Sequence, residues 1–567
     1  MSRSDLKNNS VVVGFLFLVT VVVFSLTGQI YGVNDDVIIQ NWLSGLYTGS
    51  PEFMIRGSAT PKMLFGVIVS NLYSLLPQLN WFSIILLGLT LVSWYLVGII
   101  SIKSKNFILI ISYAIIAFLH LLWFIPSPTY TASAVILSFS SIIYIAYSIK
   151  NQEFSKVIFI PFFLYAFTYL VRPESFLLGS VTAGSFLIFA LLSTKSEFKN
   201  TIRKTYVGAI FCLLVIGGDH AYERYFYFEN KDWATYKQWE TARYKIQANA
   251  PEKAVSDNPS KYGWTQAEVE LFKSYNYIDA SNFTVDKFEK LIDDTGAVTV
   301  DLNVDFLKKS HQKIFDSDIN WEWKGFIALI SLFYGIFLFL SFPQIRYYLL
   351  LTTSSYAVLY FIMLYVAGFL RQPERVQVSV IFLAILISFA GFVFSSSKTS
   401  VNFSSPTMVL CGLLLIIVSL NTFTQSNYLI SKIQKWSDSF WYSQIEYLSK
   451  YPSDSIFVGN ASQFRNNWFS PYIVSDFEIE NRIFSFGWHN FSPHWSSRAQ
   501  NLGLNPDDIF ESVISDPRVY WVSDSPTMEY IIQYMKENDF NFKGPEKVGM
   551  MSHFGDEYIV WNFDKND

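Results

Sequence analysis

The chain has 567 residues, of which 51% are hydrophobic, 18% aromatic and only 16% charged, against roughly 25% charged in soluble domains. A formal charge of -4 and a pI near 6.0 leave no basic excess to hold nucleic acid. The composition is that of a membrane protein, and its two cysteines, Cys212 and Cys411, sit in apolar runs, where a thiol packs as a small hydrophobe and frames no disulfide scaffold.

The first apolar run, 11–30, has about the 20 residues that cross the hydrocarbon layer, and no clear small-residue cleavage site follows it, so it reads as a retained span. Runs of similar or slightly shorter length recur at 82–101, 106–125, 131–148, 156–171, 174–194, 205–218, 324–342, 347–369, 377–396 and 407–423, about eleven spans in all. The run "KMLFGVIVSNLYSLLP" at 62–77 is short and flanked by polar residues. It is either a twelfth span or a helix lying at the interface.

The distribution of lysine and arginine decides between these. If 62–77 does not cross, Arg3 and Lys7, Lys103 and Lys105, Lys150 and Lys156, Lys195, Lys199, Arg203 and Lys204, Arg346, and Lys398 all fall in loops on one side, which the positive-inside rule assigns to the cytoplasm. A crossing at 62–77 breaks that register after the first loop, so the run is read as a juxtamembrane helix. The expected organisation is then an N-terminal membrane region, 1–218, with an outward acidic loop at 31–62. A large extracytoplasmic loop follows at 219–322, then spans over 323–423 and an extracytoplasmic domain over 424–567. The amino terminus is expected in the cytoplasm and the protein in the cell membrane.

The large loop is too long for a passive connector. Its segments "TQAEVELFKSYN" and "TVDKFEKLIDD" each open on a threonine with an acidic residue in the first turn, which predicts helix starts. In the tail, "SIFVGN", "RIFSFGWH", "RVYWVSD" and "EYIVWNF" are short branched and aromatic runs separated by the helical patterns "NPDDIFESVIS" and "SPTMEYIIQYMKEN". Strands alternating with helices predict a small, partly parallel sheet with helices packed on it. The fold class expected is therefore mainly α: a polytopic helical membrane protein with a C-terminal α/β domain. Internal repeats and low-complexity segments are absent from the sequence.

Chemistry-bearing residues gather where spans end on the outward side. "YGVNDDVIIQ" places Asp35 and Asp36 at the exit of the first span. They read either as caps for a helix starting near Val37 or as a repelling pair in which one carboxyl gains proton affinity and the character of a general base. Gly49 and Pro51 in "LYTGSPE" predict a turn that folds the segment back. Two outward loops break the rule that such loops lack basic residues: "YLVRPESF", with Arg172 and Glu174, and "GFLRQPERVQ", with Arg371, Glu374 and Arg375. An arginine there either anchors a helix end and pairs with its neighbouring glutamate or grips a phosphate with its fork of donors while its stem stays in the apolar layer.

Other candidates are His120 near the outer end of its span, and Asp219 with His220 in "GGDHAYER" where another span exits. Polar groups at such depths serve either as caps or as functional sites. "FGWHNFSPHWSS" concentrates Trp488, His489, His494 and Trp495, which either pack a sheet domain, stack on a sugar ring or dip into the membrane interface. The sequence contains no phosphate-binding loop, dinucleotide fingerprint, "HExxH" or nucleophile elbow, which argues against nucleotide-driven transport and against zinc or serine hydrolysis.

An acidic pair directly after the first span, an amphipathic juxtamembrane piece, many spans and an outward C-terminal domain together resemble the GT-C superfamily of polytopic glycosyltransferases. "NDDVIIQNWLSGLYTGSPE", "RQPERVQ" and "GWHNFSPHW" also look like segments of a group of bacterial membrane proteins associated with polysaccharides. The resemblance implies transfer of a sugar from a polyprenyl-phosphate donor to an extracytoplasmic glycan or lipid-linked acceptor, with inversion at the anomeric carbon. Asp36, or else Asp35, is then the base that takes the acceptor proton, while Arg172 and Arg371 or Arg375 hold the lipid phosphate. The resemblance leaves a metal open, because some members of that superfamily use one and others do not; Asp219 could add a ligand to the acidic pair, but no spacing in the sequence establishes a metal site. The insertion 219–322 departs from the family pattern. A polymerase of lipid-linked repeat units, a flippase or transporter of lipid-linked sugar and a nonenzymatic scaffold are the other readings.

Overall fold

The computed structural model describes residues 3–27, 34–53, 61–105, 107–152, 159–193, 198–247, 250–295, 308, 345–369, 374–396, 444, 446–464, 472, 481–553 and 556–565. They divide into two compact units: Met1–Ile30, Trp81–His220 and Leu302–Gln434 form the first, and Tyr31–Asn80, Ala221–Asp301 and Lys435–Asp567 the second.

The described elements of the first unit are all helices, and several of them expose large apolar side chains. Five stretches are long and apolar enough to cross a bilayer: Asn8–Leu26, Trp81–Lys103, Tyr130–Lys150, Pro173–Ser193 and Thr205–Glu229, the last of which runs on past His220 into the second unit. Four further expected spans coincide with the helices Phe107–Phe124, Phe159–Val171, Ile345–Phe369 and Glu374–Ser396. Those expected at 324–342 and 407–423 lie outside the described residues. Helices that expose Phe17, Leu18, Leu177, Ile188, Leu213 and Leu214 are stable only in a solvent that does not penalise apolar surface, so the chain is a membrane protein.

Tyr130–Lys150 is the central helix of this unit, with 94% of its apolar window buried. Small hydroxyl residues let its neighbours approach closely and bond across the contact. Ser133 Oγ lies 3.1 Å from Thr90 Oγ1 and Ser138 Oγ donates to the Phe176 carbonyl at 3.0 Å. A Cβ on Gly179 would sit 2.6 Å from that serine's Cβ, so only glycine fits there.

The second unit has an α/β core. Strands β1 (Ile456–Asn460), β2 (Ile483–Phe486), β3 (Val519–Ser523), β4 (Phe542–His553) and β5 (Asp556–Lys565) form one sheet in the order β2-β1-β3-β5-β4. β1 is parallel to β2 and β3, with Val458 paired to Phe484 and Trp521, and β5 is antiparallel to β3 and β4. β1 is buried along its whole length, as a parallel strand covered on both faces must be. β4 escapes the sequence patterns because it is an edge hairpin strand with Pro545 and two register shifts, tolerated at an edge where a ladder donor is not required. The helices Ile509–Ser515 and Ser525–Glu537 start where Asp508 accepts from Glu511 N at 2.9 Å and Asp524 accepts from Thr527 N at 2.7 Å.

The residues of the large loop share this core. The helix Gln266–Lys273 opens on a full capping box between Thr265 and Glu268, and Thr284 accepts from Lys287 N at 3.3 Å at the start of Val285–Thr295. Trp239, Trp264, Phe272, Tyr277 and Phe288 pack in one apolar cluster with Trp495, Phe510, Trp521 and Tyr534 of the tail. Tyr534 donates to Asp279 Oδ2 at 2.6 Å and accepts from Asn282 Nδ2 at 3.0 Å, Asn490 Nδ2 donates to the Tyr277 carbonyl at 2.9 Å, and Asn460 Nδ2 to that of Ser274 at 2.9 Å.

Candidate functional site

In the second unit the helix Asn34–Ser44 carries Asp35 and Asp36 in its first turn, where negative charge suits the exposed amides and the positive end of the dipole. Asp35 is half-buried and Asp36 fully buried. Four residues on, Gln40 lies on the same helix face as Asp36 and is also buried. The helix starts at Asn34, ahead of the start near Val37 read from the sequence, so Asp35 and Asp36 lie inside its first turn and do not cap it.

The chain then reverses. Gly45 adopts φ +83°, and a Cβ there would lie 2.5 Å from the Ser50 carbonyl carbon, which only glycine accommodates. Gly49 N donates to the Gly45 carbonyl at 2.7 Å and Glu52 N to that of Trp42 at 3.0 Å, so "LYTGSPE" folds back on the end of its own helix.

This helix end is held by "FGWHNFSPHWSS". Trp42 meets the rings of Trp488, His489 and His494 edge to face, at centroid distances of 5.5, 5.7 and 4.9 Å, and Trp233 also meets His494 edge to face, at 4.8 Å. Tyr47 donates to the Ser485 carbonyl at 3.1 Å, with His489 Nε2 3.4 Å away. Arg498 lies over the Tyr47 ring at 5.7 Å while its guanidinium donates to the Ile483 carbonyl at 2.9 Å. Ser492 caps the helix Pro493–Asn501, accepting from Trp495 N at 3.1 Å. Burial pushes the His489 imidazole down to about 4, with the neighbouring His494 adding to the effect and the bond to Ser485 opposing it. Burial likewise raises the Tyr47 phenol. Both are neutral near pH 7. Trp488 is half-buried, and Trp495 is fully buried against Phe484 at 5.2 Å and Phe491 at 5.3 Å.

The remaining candidates belong to the first unit. Arg172 ends the helix Phe159–Val171: its Nε lies 3.6 Å from Glu174 Oε2, its Nη1 donates to Thr131 Oγ1, and its guanidinium stacks over Tyr130 at 4.8 Å. The pairing with Glu174 is thus present, and it leaves the guanidinium at a helix junction in a fixed orientation. His120 is fully buried between Phe124, stacked at 5.7 Å, and Phe382 at 4.7 Å, and its Nδ1 accepts from Trp94 Nε1 at 3.0 Å, which is the environment of a packing residue. Asp219 is fully buried, and His220 is exposed with its Nε2 2.8 Å from the Tyr169 hydroxyl. Arg371 lies outside the described residues. Glu374 and Arg375 open the helix Glu374–Ser396, and their side chains also lie outside the described part. Among the described residues, no three His, Cys, Asp or Glu side chains converge to hold a metal ion.

Trp42, Tyr47, Trp233 and Arg498 complete the cluster and carry no sequence motif of their own. The one available signal was the aromatic pair Trp42 and Tyr47 beside the acidic residues, whose partners are more than 400 positions away.

No protein-family profile matches the chain, and no curated protein sequence does.

Proposed function

We propose that the chain is a membrane glycosyltransferase of the GT-C type, with about eleven spans and its second unit outside the cytoplasm. It takes a sugar from a polyprenyl-phosphate donor and passes it to an extracytoplasmic glycan or lipid-linked acceptor. Asp36 accepts the proton of the acceptor hydroxyl as that oxygen bonds to the anomeric carbon. The bond from that carbon to the phosphate oxygen breaks, and the electron pair leaves with the lipid phosphate. Arg172, with Arg371 or Arg375, balances the charge on the departing phosphate.

The observation that carries this reading is Asp36: a fully buried carboxyl in the first turn of the helix that follows the first apolar span. Its helix is clamped at the other end by Trp488, His489 and His494, which fixes the orientation of the carboxyl. Further support comes from the gathering of 31–80, 221–301 and 435–567 into one unit, since these are the segments the lysine and arginine pattern places on one side of the membrane.

The test is transfer of radiolabelled sugar from a panel of polyprenyl-phosphate sugars by the purified chain in detergent. Consumption of one donor with label appearing on an added acceptor supports the reading. If no donor is consumed and labelled lipid-linked sugar instead crosses the wall of proteoliposomes, the protein is a transporter. Extension only of lipid-linked oligosaccharide units makes it a polymerase.

A further inference from the structure

A short segment of the large loop, 274–277, is fastened to the carboxyl ends of two parallel strands of the second unit. After β2, Gly487 N donates to Asn490 Oδ1 at 2.7 Å, and Asn490 Nδ2 donates to the Tyr277 carbonyl at 2.9 Å. At the end of β1, Asn460 Nδ2 donates to the Ser274 carbonyl at 2.9 Å, and Asn276 Nδ2 reaches the same carbonyl at 3.2 Å. Between these two fastenings Tyr275 has φ +60°, a left-handed conformation that a bulky residue adopts only where its surroundings impose it.

The end of β3 carries no such fastening. Asn460 and Ser523 each lie two residues beyond the paired Val458 and Trp521, so their side chains are neighbours on the sheet face that packs with the large loop. Ser523 is fully buried, and its hydroxyl has no hydrogen-bond partner among the described residues. Asn276 is 1% exposed, and its Oδ1 likewise has none. Buried groups of this kind are nearly always paired, so two of them, linked through Ser274 and Asn460, mark a place where a polar partner binds.

The topology reverses at the same place. β1 leads to β2 on one side, while β3 lies on the other and leads on to β4 and β5. Open sheets bind ligands outside the carboxyl ends of their strands at such a reversal. The charged groups nearby are already engaged: Asp524 caps its helix by accepting from Thr527 N at 2.7 Å, Arg243 beside the Tyr277 phenol pairs with Glu240 at 2.8 Å, and Lys273 pairs with Glu270 at 3.1 Å. An anionic ligand therefore gains little here. A hydroxyl, an amide oxygen and the half-buried Tyr275 ring suit the hydroxyls and apolar face of a pyranose.

We propose that the carboxyl ends of β1 and β3 form a saccharide-binding site, in which Ser523 and Asn276 bond to ring hydroxyls and 274–277 is the strap that closes over them. Opening the strap breaks the bond from Asn460 to Ser274, while Asn490 holds Tyr277 as the hinge. The site does not use Asp36, and it stands whether or not the chain transfers sugar.

The test uses the full chain in nanodiscs with the methyl glycosides of glucose, galactose, mannose, rhamnose and N-acetylglucosamine. Binding is read by saturation-transfer NMR and the strap by hydrogen exchange. At least one glycoside is expected to bind and to slow exchange at 275–277. Ser523→Ala is expected to weaken that binding about tenfold, Asp36→Asn to leave it unchanged, and Asn460→Ala to speed exchange of the strap without ligand. If no glycoside slows exchange at 275–277 in the wild type, the proposal fails, and this result does not depend on any variant folding. Wild-type affinity in Ser523→Ala would mean that water alone fills the strand end, loss of binding in Asp36→Asn would place the sugar at the acidic helix instead, and equal slowing by inorganic phosphate would mean an anion site. Each of these overturns the proposal.

Discussion

Tyr47 donates its phenolic hydrogen to the Ser485 carbonyl over 3.1 Å, a bond between residues 438 positions apart. It joins the turn after the acidic pair to the end of β2 and orients the phenol beside His489. Tyr47→Phe keeps the ring packing and leaves a buried carbonyl without that donor. The expected loss is about 1–2 kcal/mol, read as a lower urea midpoint by tryptophan fluorescence of the full chain in nanodiscs.

Gly45 and Gly49 both have positive φ but differ in surroundings. A Cβ on Gly45 meets the Ser50 carbonyl carbon and Pro51 N at 2.5 and 2.7 Å, whereas Gly49 faces open space. Gly49→Ala is expected to cost about 1 kcal/mol, the strain of the left-handed conformation alone. Gly45→Ala adds a backbone overlap, so it is expected to lower stability by clearly more in the same assay and to expose "LYTGSPE" to proteolysis.

His489 makes the second unit sensitive to acid. Its folded value, about 4, lies below the ordinary 6.5, so between these values the unfolded chain binds the extra proton and stability rises with pH. The contribution is complete above about pH 6.5 and is lost as pH falls towards 4. Between pH 7 and pH 5 the loss attributable to His489 is about 2 kcal/mol. His489→Phe retains a ring against Trp42, Tyr47 and Trp488, and its urea midpoint should fall less over that interval than that of the wild type.

Tyr534 holds the large loop to the tail through Asp279 and Asn282, and Asn282 Nδ2 and Lys287 Nζ both reach Glu268. Tyr534→Phe is expected to cost about 1–2 kcal/mol and to raise hydrogen exchange in Gln266–Lys273 and Ser525–Glu537 together. A rise confined to one of them would show that the two segments fold separately.

Local signals were legible in the sequence. Apolar length marked the helices of the first unit, the threonines at 265 and 284 marked helix starts, and branched and aromatic runs marked β1, β2, β3 and β5. β4 was not legible, because Gly544, Pro545 and alternating charges hide an edge strand. In the candidate site the acidic first turn and the Gly49–Pro51 turn were readable. The clamp on Trp42 was not, because its partners lie in a segment whose aromatics fit a sheet core equally well. Nor does any periodicity announce that the large loop shares its core with the tail, since such long-range pairing depends on side-chain shapes meeting across hundreds of residues.

In the proposed transfer reaction Asp36 removes the acceptor proton. The direct measurement is the single-turnover rate of label transfer from a polyprenyl-phosphate sugar by wild type, Asp36→Asn and Asp35→Asn, with donor binding and urea midpoint measured in parallel. A fall of at least about 100-fold is expected for Asp36→Asn, with donor binding and folding retained, and a smaller effect for Asp35→Asn. A wild-type rate in Asp36→Asn would contradict it and leave the buried carboxyl a structural part of the helix start.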